Sequence, residues 1–149
     1  MKTPRRTIVI ALILLTGSIV WAQEKADTKK DVAQLQGEWT MVSGSADGSP
    51  VPETMLSDFK RVCKEEETTV TVAGQMFLKA KFKLDASKKP KTIDYDVIDG
   101  PTKGKKQLGI YELEGDTFKV CFAKPDMERP TDFKPGEGRT TSVWKREKK

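Results

Sequence analysis

The segment Met-Phe-Leu-Lys-Ala-Lys-Phe-Lys-Leu at 76–84 puts Met76, Leu78, Ala80, Phe82 and Leu84 on one parity and Lys79, Lys81 and Lys83 on the other. Successive side chains of a strand point to opposite faces, so this segment can bury one side and wet the other. A helix would scatter the lysines around its axis, and the pattern therefore predicts a strand. The same logic recurs along the chain. Val70 and Val72 share a face, and Ile93, Tyr95 and Val97 oppose Asp94 and Asp96. Strands are predicted at about 37–43, 60–64, 68–73, 75–84, 91–98, 106–114, 117–123 and 139–146. Glu114-Gly115-Asp116 and Asp99-Gly100-Pro101 supply turn chemistry between them. Pro52–Phe59 reads as one short helix with Met55, Leu56 and Phe59 on its apolar side, set as a lid over one end. Asp31–Leu35 suits a short helical turn.

Eight short strands joined mainly by hairpins favour an all-β, antiparallel, up-and-down closed barrel, because closure removes the exposed edges that invite aggregation. In such a barrel the first and last strands are neighbours, so Trp39 and Trp144 should lie on adjacent strands. The longest gap, Lys124–Gly138, holds Pro125, Pro130 and Pro135 and is predicted as a loop.

The chain opens with Lys2, Arg5 and Arg6, an apolar run from Ile8 to Trp21, and small residues around Ala22. A basic start, a short apolar stretch and a small-residue end have the form of a secretory signal peptide over 1–22. The expected organisation is a signal segment at 1–22, a flexible polar leader at 23–31 and one barrel domain at 32–147, in the periplasm or outside the cell. No membrane span is expected in the mature form, since the apolar run is short for a bilayer. The chain carries 27 basic and 22 acidic residues. Three basic and no acidic residues fall in the first 22, so the remainder is nearly balanced. The overall basicity is then no argument for nucleic acid.

Cys63 and Cys121 are the two cysteines. In an oxidising compartment they have the option of a disulfide or of two separate thiols. Cys121 has the opposite parity to Phe118, Val120 and Phe122. The chain has no histidine, which removes the usual nucleophile–base dyads, and no cofactor or metal motif is present. The carboxylate pairs Asp94/Asp96 and Glu112/Glu114 read as the wet faces of strands. A non-enzymatic binding module is expected.

Gly37-Glu38-Trp39 resembles the Gly-x-Trp that lipocalin-like barrels carry on their first strand, where the Trp plugs one end. A basic residue of the last strand often covers that ring, and Lys145 and Arg146 both stand in place for it. Leu35–Trp39, Phe82–Asp85, Lys89–Asp94, Gly104–Leu113, Gly115–Cys121 and Glu128–Phe133 resemble a family of uncharacterised secreted lipocalin-like domains of planctomycete bacteria. The resemblance covers about Val32 to Arg146 and implies a calycin-like barrel and export, with no catalytic set. Two readings of function follow. In one, the barrel holds a small hydrophobic or amphipathic ligand among Trp39, Met41, Leu78, Phe82, Tyr95, Tyr111, Phe118 and Phe122. In the other, the barrel is solid, and the module meets an envelope protein through the 124–138 loop and barrel rim, with Arg129, Asp132 and Phe133 as the contact residues.

Overall fold

A computed structural model describes residues 16–148. Helix α1 (Thr16–Leu35) leads into strand β1 (Gly37–Ala46), followed by β2 (Ser49–Pro50), the single turn α2 (Glu53–Leu56), β3 (Phe59–Lys64), β4 (Glu67–Val72), β5 (Gln75–Asp85), β6 (Lys91–Asp99), β7 (Lys106–Glu114), β8 (Thr117–Ala123) and β9 (Arg139–Arg146). Each of β3 to β8 pairs antiparallel with the next, β1 pairs with β3, and β1 also pairs with β9. The result is a closed barrel of eight strands, with the two-residue β2 attached to the end of β1. As expected, Trp39 and Trp144 sit on adjoining strands: Met41 is opposite Trp144, and Trp39 is opposite Arg146.

Alternation fills the barrel. Trp39, Val70, Phe82, Tyr95, Phe118 and Trp144 are among the residues that make one continuous buried core. Met76 departs from the expected row. A bulge between β4 and β5 at Phe77 adds a residue to β5 and reverses its facing, so Met76 and Phe77 are both exposed while Leu78 to Leu84 keep the inward row. In α2, Leu56 packs against the core with Val51 and Phe59, whereas Met55 points to solvent because the helix lasts only one turn.

The N-terminal region also differs from expectation. Residues 23–35 are one continuous helix rather than a flexible leader and a turn. Its last turns are held from below: Asp31 is buried, accepting from the Tyr111 hydroxyl at 2.7 Å and from Lys91 Nζ at 2.8 Å, and Leu35 joins the core. Asp31 and burial together push the Tyr111 hydroxyl far above its ordinary pKa, burial being the larger cause. Residues 1–15 of the expected signal segment lie outside the described residues. Ile19, Val20 and Trp21, which belong to it, are exposed. No helix among the described residues is long and apolar enough to cross a membrane.

The end of α1 explains Gly37-Glu38-Trp39. A helix leaves its last carbonyls without intrahelical partners. Here Trp39 Nε1 donates to Leu35 O at 2.9 Å, Arg146 Nη1 donates to Gln36 O at 2.5 Å, and Arg146 Nη2 donates to Gln34 O. The same guanidinium lies 4.3 Å from the centre of the Trp39 ring, so Arg146, not Lys145, covers the tryptophan. Lys145 faces outward and reaches Thr117 Oγ1. Gly37 has φ of 114°, and a Cβ there would approach Arg146 Nη1 to 3.2 Å, so only glycine turns the chain from helix to strand at this point.

Candidate functional site

The eight residues expected to line a ligand chamber all face the barrel axis. Seven are buried and Leu78 is half-buried. They line the interior by filling it. Trp39, Ala80, Tyr111 and Phe118 have no exposed surface, and the aromatic rings meet one another: Tyr95 and Phe122 centroids are 4.1 Å apart, and Trp39 and Phe118 5.9 Å.

One interior residue was not anticipated. Arg61 shares the inward parity of Phe59 and Cys63, and its 4% exposure makes it a buried cation. Its Nη1 donates to the Tyr95 hydroxyl at 2.6 Å and to Thr68 Oγ1 at 3.0 Å. Its guanidinium carbon stands 4.4 Å from the Trp144 ring centre and 5.6 Å from that of Phe118. Its Nε has no partner, and no acid pairs with it among the described residues. Two aromatic faces and two hydroxyls thus stand in for a counter-ion. Burial raises the pKa of the neighbouring Cys63 thiol and Tyr95 hydroxyl, and Arg61 only partly opposes it, so both are neutral at pH 7. The alternation of β3 carried the signal: Lys60, Val62 and Lys64 take the wet face, which leaves Arg61 inside.

Cys63 and Cys121 are free thiols, both buried. They sit on opposite sides of the wall, which is why they are not joined: Cys63 belongs to the core, while Cys121 faces outward between Ile110 and Thr141.

What buries that outward row is the 124–138 loop, which lies as a strap along the barrel wall. Pro130 is buried against it, and Phe133 lies beneath the Lys119 ammonium at 4.6 Å. Arg129 Nη1 donates to Asp94 Oδ1 at 2.6 Å and to Gly109 O at 2.8 Å. Asp132 accepts from the Lys134 amide and from Arg139 Nη1. At the strap's ends, the Lys124 amide donates to Gly138 O, and Asp47 accepts from the Gly138 amide and pairs with Lys124. Hydrogen bonds from Lys124 and the Gly138 amide hold the Asp47 carboxyl below the usual carboxylate range. Asp132 is lowered in the same way by the Lys134 amide and Arg139. The three expected contact residues therefore hold the strap in place.

Beside the strap, a cleft of about 480 Å³ opens between it and the β5–β6 hairpin. Lys83, Lys88, Lys89 and Arg129 supply its positive charge, and Asp85 and Asp94 its negative charge. Arg129 neutralises Asp94. Asp85 is occupied by the amide and hydroxyl of Ser87. The three lysines form no ion pair among the described residues. Two other clefts, of about 260 and 610 Å³, have more balanced linings: Lys88, Lys89 and Lys91 with Glu112 and Glu114 in one, and Lys64 and Lys81 with Glu65, Glu66 and Glu67 in the other. No family model, curated protein or solved structure matches this chain.

Proposed function

We propose that the chain is an exported, non-enzymatic binding module of the secreted lipocalin-like type, with a filled barrel, that meets its partner on the face carrying the 124–138 strap. One observation carries this reading: the barrel interior is occupied by its own side chains, while the strap builds a cleft with three uncommitted lysines on the outside. The basic and apolar N-terminal segment and the resemblance at Leu35–Trp39 support export. The strap is held by its own ion pairs and is therefore preorganised, which lowers the entropic cost of binding.

The test is capture of partners from the extracytoplasmic fraction by the wild-type chain and by Thr131→Arg, which places a bulky cation at the lip of the cleft. Loss of a specifically captured species in the variant supports the reading. An identical captured set rejects the strap face as the interface.

A second reading rests on Arg61. A buried guanidinium with an unpartnered Nε and no acid paired with it among the described residues suits an anionic head group, so the barrel would open around an amphipathic acid. Titration with a fatty acid, read by tryptophan emission, tests it. A saturable change that disappears in Arg61→Met supports the carrier, and a flat titration removes it.

A further inference from the structure

We propose that the strap-side cleft recognises a carboxylate-bearing segment of a partner protein, with an acidic side chain among Lys83, Lys88 and Lys89 and an adjacent apolar side chain on the floor formed by Ile110, Pro90 and Pro130. The inference rests on the strap-face reading and adds the chemistry of the partner.

The rim determines the charge of the occupant. With Asp94 neutralised by Arg129, Asp85 is the one acid left facing three lysines, so the cleft is net positive. These lysines lie on two adjoining pieces of one hairpin, Lys83 on the outward row of β5 and Lys88 and Lys89 in its turn. A single anionic group can therefore be approached by more than one ammonium.

The floor determines the rest of the occupant. Pro90 and Pro130 have no amide hydrogen to donate and Leu84 and Ile110 add only hydrocarbon, while Thr92 and Thr131 bring two hydroxyls to the same lining. A phosphate or sulfate, whose oxygens call for several donors and are best met by forked guanidinium groups, finds point charges at the rim, the hydroxyls of Thr92 and Thr131, and one guanidinium already engaged by Asp94 and Gly109 O. A carboxylate next to an apolar side chain uses both surfaces. The cleft's size lies within the range of sites that take a few side chains or a small ligand.

The walls are fixed before anything binds. Arg129 pins the strap side to Asp94 and Gly109 O. The hairpin side is held by the Asp85–Ser87 turn and by the Ala86 amide, which donates to Thr28 Oγ1 of α1.

The experiment uses the full chain and a fluorescein-labelled seven-residue peptide of alternating glutamate and phenylalanine, read by fluorescence anisotropy. Companion probes replace glutamate by lysine, or phenylalanine by glutamate, and inorganic phosphate and heparin serve as competitors. Lys88→Glu/Lys89→Glu changes the cleft. Lys103→Glu/Lys105→Glu makes the same change in net charge on exposed residues that do not line it. The expected result is saturable binding of the glutamate–phenylalanine peptide, weakened at least tenfold by the cleft variant and less than threefold by the control variant, with no binding of the lysine peptide. Equal losses in the two variants, absence of saturable binding, or stronger binding of heparin or of the all-glutamate peptide would overturn the proposal. If the peptide fails while Thr131→Arg still abolishes capture, the strap-face reading stands and the acidic-segment chemistry falls.

Discussion

Replacing Arg129 by alanine should unlatch the strap without unfolding the barrel. The guanidinium makes one bond to Asp94 at 2.6 Å and one to Gly109 O at 2.8 Å. A buried hydrogen bond to a charged group contributes about 1.5–3 kcal/mol, and an exposed ion pair about 0.2–1 kcal/mol. The side chains here are 30% and 33% exposed, so the pair belongs between these limits. After the discount for solvent, the two contacts together should contribute about 1–2 kcal/mol. Each 1.4 kcal/mol is a factor of about ten, so strap opening should rise about 5- to 30-fold. Cys121 is the natural reporter, because it faces outward yet is fully buried, and Thr141 Oγ1 lies 3.3 Å from its sulfur. Where reclosing is fast, the rate of thiol alkylation follows the opening equilibrium. Labelling with a maleimide, resolved by peptide mass, should show Cys121 reacting about 5- to 30-fold faster in Arg129→Ala. Cys63, sealed in the core, should be far slower than Cys121 in both proteins. Asp94→Ala should give a comparable rise, and the double variant little more than either alone. The reasoning fails if the Cys121 rate stays within about twofold of wild type, or if Cys121 and Cys63 react at the same rate, since opening would then be global.

Gly109→Ala should destabilise the barrel by about 1–3 kcal/mol in urea unfolding, because its Cβ would lie 2.6 Å from the Phe122 ring and 2.8 Å from Cys121 O, and Phe122 is backed by Tyr95; an unchanged midpoint would refute the packing described. Arg61→Met should alter stability by less than about 1.5 kcal/mol, since losing two hydrogen bonds and two aromatic contacts is offset by no longer burying a charge. Arg61→Ala should cost about 3 kcal/mol or more through the added cavity, and equal losses in the two variants would contradict this balance. Acid should loosen the strap: Asp47 and Asp132 have carboxyl pKa values lowered by folding, so their contribution is complete above the unfolded value of about 4 and is lost as pH falls through the lower folded values. Exchange of the Gly138 amide, corrected for intrinsic rates, should therefore accelerate below about pH 4, and constant protection down to pH 2 would count against the clip.

The strand pattern was legible because alternation is local: Ile93, Tyr95 and Val97 against Asp94 and Asp96 state a face whatever the partner strand. Closure also followed from strand number and short turns, as the pairing of β1 with β9 bears out. Met76 leaves the row its parity predicts because a bulge is a property of two strands together, and its register cannot be read from one. The length of α1 is hidden in the sequence for a related reason. Its weak apolar periodicity gains support only from contacts made after the barrel has formed, such as Asp31 with Tyr111 and Lys91.

The candidate site divides along the same line. The inward parity of Trp39, Phe82 and Phe118 is written in the chain, and so, in retrospect, is that of Arg61. Whether those side chains leave a chamber or fill it depends on how opposite walls interdigitate across the axis, a relation between residues far apart in the chain. The strap's residues stand out along the chain, but their contacts do not. Arg129 meets Asp94 from 35 positions away, and that meeting makes the loop a fixed wall. Periodicity along the chain therefore set which way each side chain faces, while the barrel's curvature set what it touches, because facing is a local backbone property and contact belongs to the assembled whole.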